Sequence, residues 1–156
     1  MAMKQWDEMW NNVIRYVIFQ DDELKKLMLL PDKTNIVQFI DRYFIEAAWT
    51  NKLLENEDVR ILYADASGAD TSVPNVRRNI MTFDIYVKMT ELRNATNDRL
   101  ALRTKLIAAR IDELLRKNEY ILKSGYKFMP AGAWPSGTRT AGYARYTIAF
   151  YYMKVF

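Results

Sequence analysis

"NIMTFDIYVKM", residues 79–89, decides the fold. Met81, Phe83, Ile85, Val87 and Met89 take every second position, and Thr82, Asp84, Tyr86 and Lys88 fill the places between them. A period of two sends the first set to one face of a strand and the second set to the other. A helix would scatter both sets around its axis, so the stretch reads as a strand with one face against a core. Upstream, "DVRILYA" at 58–64 reads as a second, shorter strand. Between the two lies "DASGADTSVPNVRR", residues 65–78, whose small polar residues, Gly68 and Pro74 do not pack a core. This extended loop 65–78 exceeds the usual hairpin length, which leaves two readings open, an arm that reaches a neighbour or a passive loop.

Residues 1–50 have a different period. Trp6, Met9, Trp10, Val13, Ile14, Val17 and Ile18 form one helical stripe. "DDELKKLMLLP" follows as a short helix, with acidic residues suited to a helix N-terminus and Pro31 placed to end it. In "TNIVQFIDRYFIEAA", Ile36, Ile40, Tyr43, Phe44 and Ala47 fit helical spacing, with Thr34 or Asn35 as cap, although β-branched and aromatic residues weaken a helix there.

Downstream, "NDRLALRTKLIAARIDELLRKN", residues 97–118, is the strongest helical pattern. It is expected to open near Asn97 and to close at Arg116, Lys117 and Asn118. Its apolar stripe is Leu100, Ile107, Ile111 and Leu114, with Arg99, Arg103, Arg110 and Lys117 beside it. Leu102, Leu106 and Ala109 cluster on the far side, so the helix is expected to be covered twice, by its own fold and by a further surface such as another subunit. "YILKSGYKFM" at 120–129 and "ARYTIAFYYMKVF" at 144–156 read as two final strands joined by a loop that carries Trp134 and Arg139. The last strand is apolar on both faces and so is expected to be buried on both. The fold expected is α+β: a small, mostly antiparallel sheet of about four strands packed against an amphipathic helix, with N-terminal helices. It forms a single domain over 1–156, with a helical part at 1–50 and a sheet-plus-helix core at 57–156.

Composition narrows the chemistry. The chain has 156 residues, half of them hydrophobic, and neither cysteine nor histidine. Thiolate chemistry and disulfides are excluded, and the commonest metal ligand and general base is missing. No glycine-rich phosphate loop, nucleophile elbow or paired-carboxylate motif is present. "DDE" at Asp21 to Glu23 is an ordinary helix cap rather than a metal cluster, because adjacent helical residues point in different directions. The chain is therefore expected not to be an enzyme and to need no cofactor and no metal. No apolar run spans a bilayer and the start "MAMKQWDE" has no signal-peptide core, so a soluble protein made inside the cell, with no membrane partner, is expected.

Net charge is +4, unevenly spread. Residues 1–70 hold 8 Lys/Arg against 13 Asp/Glu, and residues 120–156 hold 5 against none. Such a split fits an anionic partner, two surfaces that attract each other in neighbouring copies, or ordinary solvated faces. Arg77 and Arg78 are suited to a phosphate or simply flank a strand. Trp134, Arg139, Tyr143 and Arg145 resemble both a nucleic-acid surface and an interface hot spot, and composition does not separate the two.

The succession of N-terminal helix, "DDELKKLM" helix, strand, loop, "FDIYVKM" strand, "NDRLALRTKLIAARIDELL" helix and an aromatic C-terminal hairpin resembles the tail terminator (tail-completion) proteins of tailed bacteriophages and related neck-ring subunits. The longer stretch 34–56 departs from that pattern and admits a neck or barrel ring protein of a short-tailed phage. The resemblance implies a structural virion protein, assembled in the bacterial host cytoplasm, that forms a homo-oligomeric ring, hexameric or dodecameric. Such a ring joins head to tail or closes the tail tube, beside other neck, connector or tail proteins, around a channel through which DNA passes without specific binding. It further implies that Leu102, Leu106, Ala109, Arg77, Arg78, Trp134, Arg139 and Arg145 lie at subunit contacts. A basic nucleic-acid-binding module is the alternative reading.

Overall fold

At the centre of the sheet lies β4, Arg77–Lys88, the strand read from residue alternation. In the computed structural model, which describes residues 2–46, 57–65, 69–70, 77–93, 101–136 and 142–154, β4 pairs antiparallel with β2 (Val59–Asp65) on one side and β6 (Tyr143–Lys154) on the other. Outside β6 runs β5 (Tyr126–Ser136), also antiparallel, and outside β2 runs β1 (Phe44–Glu46), which is parallel to it. The six-stranded sheet has the order β1–β2–β4–β6–β5, with the short β3 (Ala69–Asp70) off this path against the start of β4. The protein is thus α+β, with a mixed, mostly antiparallel sheet packed against helices.

One face of the sheet carries the helices. Met81, Phe83, Ile85 and Val87 of β4 are fully buried there, flanked by Val59 and Ile61 of β2 and by Ile148, Phe150 and Tyr152 of β6. Over them lie α1 (Ala2–Val13), extended by a π turn at Ile14–Ile18, then α2 (Asp22–Leu27) and α4 (Arg103–Lys117). The stripe Met9, Trp10, Val13, Ile14, Val17 and Ile18 is buried in the same cluster, together with Ile107, Ile111, Leu114 and Leu115 of α4. Two shorter helices complete the layer, α3 (Ile36–Gln38), which a second π turn at Phe39–Tyr43 prolongs, and α5 (Glu119–Lys123).

Several expectations need correction. The sheet has two strands beyond the four anticipated, β1 and β3. Residues 34–46 do not hold one helical stripe, and Ala47 lies outside the described residues: the π turn closes with Phe44 N–H bonding to the carbonyl of Phe39, five residues back. That wider spacing turns Phe39 and Phe44 inward and leaves Ile40 41% exposed. Residues 120–129 are not one strand, because the Asn118 side chain caps α5 by accepting from Tyr120 N–H at 2.8 Å, and Gly125, with φ of 83°, turns the chain before β5 begins. β5 in turn extends through Ser136, so Trp134 stands on a strand rather than in the loop. The long helix starts at Arg103, since Leu102 has extended backbone at its N-cap. The expected start near Asn97 lies outside the described residues. The loop 65–78 is not wholly irregular, since Ala69 and Asp70 pair with Arg78 and Arg77; residues 66–68 and 71–76 lie outside the described residues. Met89 leaves the apolar face for a 3-10 turn and is 55% exposed, and Met153 on the last strand is 41% exposed.

Candidate functional site

Among the described residues, the surfaces that stand out are the two edges of the sheet. The β1 edge is built from the turn before it. Asn35 caps α3 by accepting from Gln38 N–H at 2.9 Å, while Gln38 Oε1 accepts from Asn35 N–H at 3.1 Å, a reciprocal capping box. Phe39 then stacks on Phe44 at 5.6 Å and tilts against Phe19 at 5.0 Å, and Phe44 stacks on Tyr63 at 5.0 Å. This aromatic column fixes the turn against β1 and β2. Arg60, only 4% exposed, ties it further, donating from Nε to the Arg42 carbonyl at 2.7 Å and pairing with Glu57 at 2.9 Å. With Phe39 inward, Val37 and Ile40 point out, 59% and 41% exposed.

Next, α4 is anchored by two arginines. Arg103 is buried and donates to the carbonyls of Glu91 at 3.0 Å and Leu27 at 2.8 Å, so it closes the end of α2 onto the start of α4. Burial pulls its guanidinium below the ordinary arginine range, and the nearby charge of Glu91 opposes that shift. Arg110 grips Asp21, the N-cap of α2, through Nε at 2.8 Å and a second guanidinium nitrogen, and also pairs with Glu113. Asp21 accepts from Leu24 N–H at 2.9 Å as well. The Arg110 hydrogen bond is the main cause that holds the Asp21 carboxyl below its ordinary range.

The three residues Leu102, Leu106 and Ala109 do not form one helical stripe. Leu102 is the non-helical N-cap, so helical spacing does not extend to it. Leu106, half-buried, shares its stripe with Arg110 and Glu113 on the side that meets α2, whereas exposed Ala109 lies with Lys105, Ala108 and Asp112 on the side toward β5. There α4 stops short of covering the sheet. An open groove of about 460 Å³ runs between α4 and β5, walled by Ala109, Pro130 and Ala133, floored by Ile148 and Phe150, with Lys105 at its rim.

At the β5 edge, a register shift between Pro130 and Gly132 bends the strand. Trp134, 46% exposed, folds back along it; a Cβ on Gly132 would stand 2.9 Å from its ring, so a larger residue there would push the ring aside. Nearby, Tyr120 and Leu122 of α5 are 40% and 54% exposed. Arg145 lies on the sheet face away from the helices, where it pairs with Asp84 at 3.0 Å and sits over the Tyr86 ring at 5.7 Å. Asp84 also accepts from the Thr147 hydroxyl at 2.7 Å. Arg77 and Arg78 open β4 and pair with β3, and their side chains lie outside what the structure describes, as does Arg139 altogether.

The structure therefore brings Ala109 toward β5, sets Leu106 on the α4 flank that meets α2 and Leu102 at the N-cap, and places Trp134 and Arg145 toward the sheet face away from the helices, where Arg145 pairs with Asp84. Ile40 was read into an inward stripe and Val37 was not singled out, because a π turn defeats spacing built on 3.6 residues. The signal was Phe39, a large aromatic that the assumed stripe left facing solvent. Among the described residues no group of three or more carboxylates is arranged to hold a metal, and no helix is long and apolar enough to cross a membrane. Comparison with models of protein families gives no match, and a search of curated proteins finds no significant relative.

Proposed function

We propose that this chain is a structural subunit that assembles head to tail into a closed ring, hexameric or dodecameric, at the neck or tail top of a tailed bacteriophage. One observation carries the assembly part of the reading. Large apolar side chains are exposed at both ends of the strand order, Val37 and Ile40 beside β1, and Leu122 and Trp134 beside β5. The two edges differ in residues, shape and fold context, so they are not halves of one self-complementary patch. Contacts between unlike surfaces repeat from copy to copy and close into a ring when the rotation allows. Tryptophan, set in a partly packed position beside aliphatic residues, is a frequent anchor at such contacts.

The acidic first part and basic last part of the chain favour the same arrangement, since complementary charge speeds encounter and rejects wrong partners. The phage context rests on the order of elements, the resemblance described above, and carries with it a virion location, neighbouring connector or tail proteins, and DNA passing through the channel. The subunit has no catalytic role in this reading. The alternative, a basic nucleic-acid-binding module, draws on the five basic and no acidic residues of 120–156. It is the weaker of the two because Arg145 already pairs with Asp84 and Lys123 lies 4.0 Å from Glu119.

Electron microscopy of the purified protein, with mass measured by light scattering, tests the proposal. Closed rings of fixed copy number with an axial opening are expected. A monomer at every concentration, with tight and salt-resistant binding of a defined DNA sequence, overturns it in favour of the alternative.

A further inference from the structure

The groove between α4 and β5 and the ridge beside β1 are matched in character. The groove has small walls, Ala109 and Ala133, and an apolar floor, Ile148 and Phe150, and at about 460 Å³ it is roomy enough for more than one aliphatic side chain. The ridge presents two, Val37 and Ile40, three residues apart and both outward. We propose that the groove receives the Val37/Ile40 ridge of a second copy of this chain, head to tail. This rests on the ring reading above and names its contact.

Charge selects that occupant. Lys105 stands at the groove rim and Asp41 follows Ile40 on the ridge; both are exposed, and neither has an ion-pair partner among the described residues. Asp112, the acidic residue of the rim, is already held by Arg116 at 2.6 Å, so the rim offers a net cation to an incoming ridge. Burying Val37 and Ile40 against Ile148 and Phe150 supplies the apolar part of the contact. Ridge and groove lie at opposite ends of the strand order, so a pair of copies satisfies one of each and leaves one of each free. Addition continues until the ends meet.

Two sets of variants test the contact, each built from exposed positions so that the fold is retained, as circular dichroism would verify. The ridge variant is Val37→Glu with Ile40→Glu, and the groove variant is Ala109→Glu with Ala133→Glu. Each alone is expected to be monomeric, with association weakened by about 100-fold or more, as for loss of a buried apolar anchor. Mixed together they are expected to form a one-to-one heterodimer, since one intact ridge and one intact groove remain. Independently, Lys105→Glu or Asp41→Lys weakens assembly, and the two combined in one chain restore it. Folded variants that still form rings, a mixture that stays monomeric, or a charge swap that restores nothing overturns this contact while the ring itself stands. A wild-type chain that is monomeric at all concentrations removes the ring and the contact together.

Discussion

The two faces of one sheet are held by different physics. Toward the helices, β4 sends Met81, Phe83, Ile85 and Val87, none of them with any exposure, into a core of aliphatic and aromatic side chains. Toward the other face the same strand sends Asp84 and Tyr86, which meet Thr147, Arg145 and Arg60 from the neighbouring strands. Tyr86 is 6%, Thr147 4% and Arg60 4% exposed, so much of this face is closed as well, although less tightly than the first. Ion pairs and hydrogen bonds across the strands hold its polar groups, although Arg145 Nε is buried without a hydrogen-bond partner among the described residues, and Ile45 and Leu62 pack beside them. Alternation in a strand locates the core face, and it says nothing about whether the polar face is wet.

Truncating the apolar face should cost most. Phe83→Ala removes a fully buried ring that touches Trp10, Phe44 and Phe150, and a loss of about 3–5 kcal/mol is expected in urea unfolding. On the polar face, Arg60→Ala strips a donor from the Arg42 carbonyl and the counter-charge from Glu57, which is only 16% exposed. About 2–3 kcal/mol is expected there, since the cost of an orphaned buried group exceeds the worth of the bond itself. An Arg60→Ala loss equal to that of Phe83→Ala would mean that the polar face, not the core, limits stability.

That contrast also explains how far the sequence could be read. The strand β4 was legible because alternation survives wherever one face is apolar, β2 and β6 as short apolar and aromatic runs, and α2 because Asp21 and Pro31 bracket it. β1 was not legible: three residues, Phe44–Glu46, show no period, and their parallel pairing with β2 depends on a π turn set by tertiary packing of Phe39. β5 was misplaced by six residues at its start because Tyr120, Ile121 and Leu122 have strand-like character, while the Asn118 cap and Gly125 decide for a helical turn. Of the candidate site, the exposed Trp134 and the α4 flank at Ala109 were in the sequence as residue types. The groove between α4 and β5 was not, because it depends on how far α4 sits from Pro130 and Ala133.

A smaller effect separates packing from pairing on the polar face. Asp84→Ala removes an acceptor from Thr147 and the ion-pair partner from Arg145 at once; Arg145, 31% exposed, can gain water in its place, whereas Thr147 is 4% exposed. A loss of about 1–2 kcal/mol is expected. If the double variant Asp84→Ala with Arg145→Ala costs no more than Asp84→Ala alone, the arginine acts only through the carboxylate, and a larger loss would assign it a further role over the Tyr86 ring.

The helix side has its own ion pair, Asp21 with Arg110, and it supplies the finest test of the contrast. Asp21 works twice, as N-cap of α2 and as partner of Arg110. Asn also caps well, so Asp21→Asn keeps the first function and removes the charge of the second. The carboxyl is held below its ordinary value of 3.8, chiefly by the Arg110 hydrogen bond and against the opposing effect of burial. A carboxyl whose value is lowered on folding adds stability that is fully present above the unfolded value. That stability fades as pH falls through the lower, folded value. The wild type should therefore exceed Asp21→Asn by about 1 kcal/mol at pH 7 and pH 5. Below pH 3.8 the difference should shrink, and it should vanish once the carboxyl is protonated in both states. Urea unfolding of the two proteins at a series of pH values reads it directly. A difference that persists unchanged at pH 2 would show that Asn disturbs the cap itself, and that the pair with Arg110 contributes nothing to holding α2 against α4.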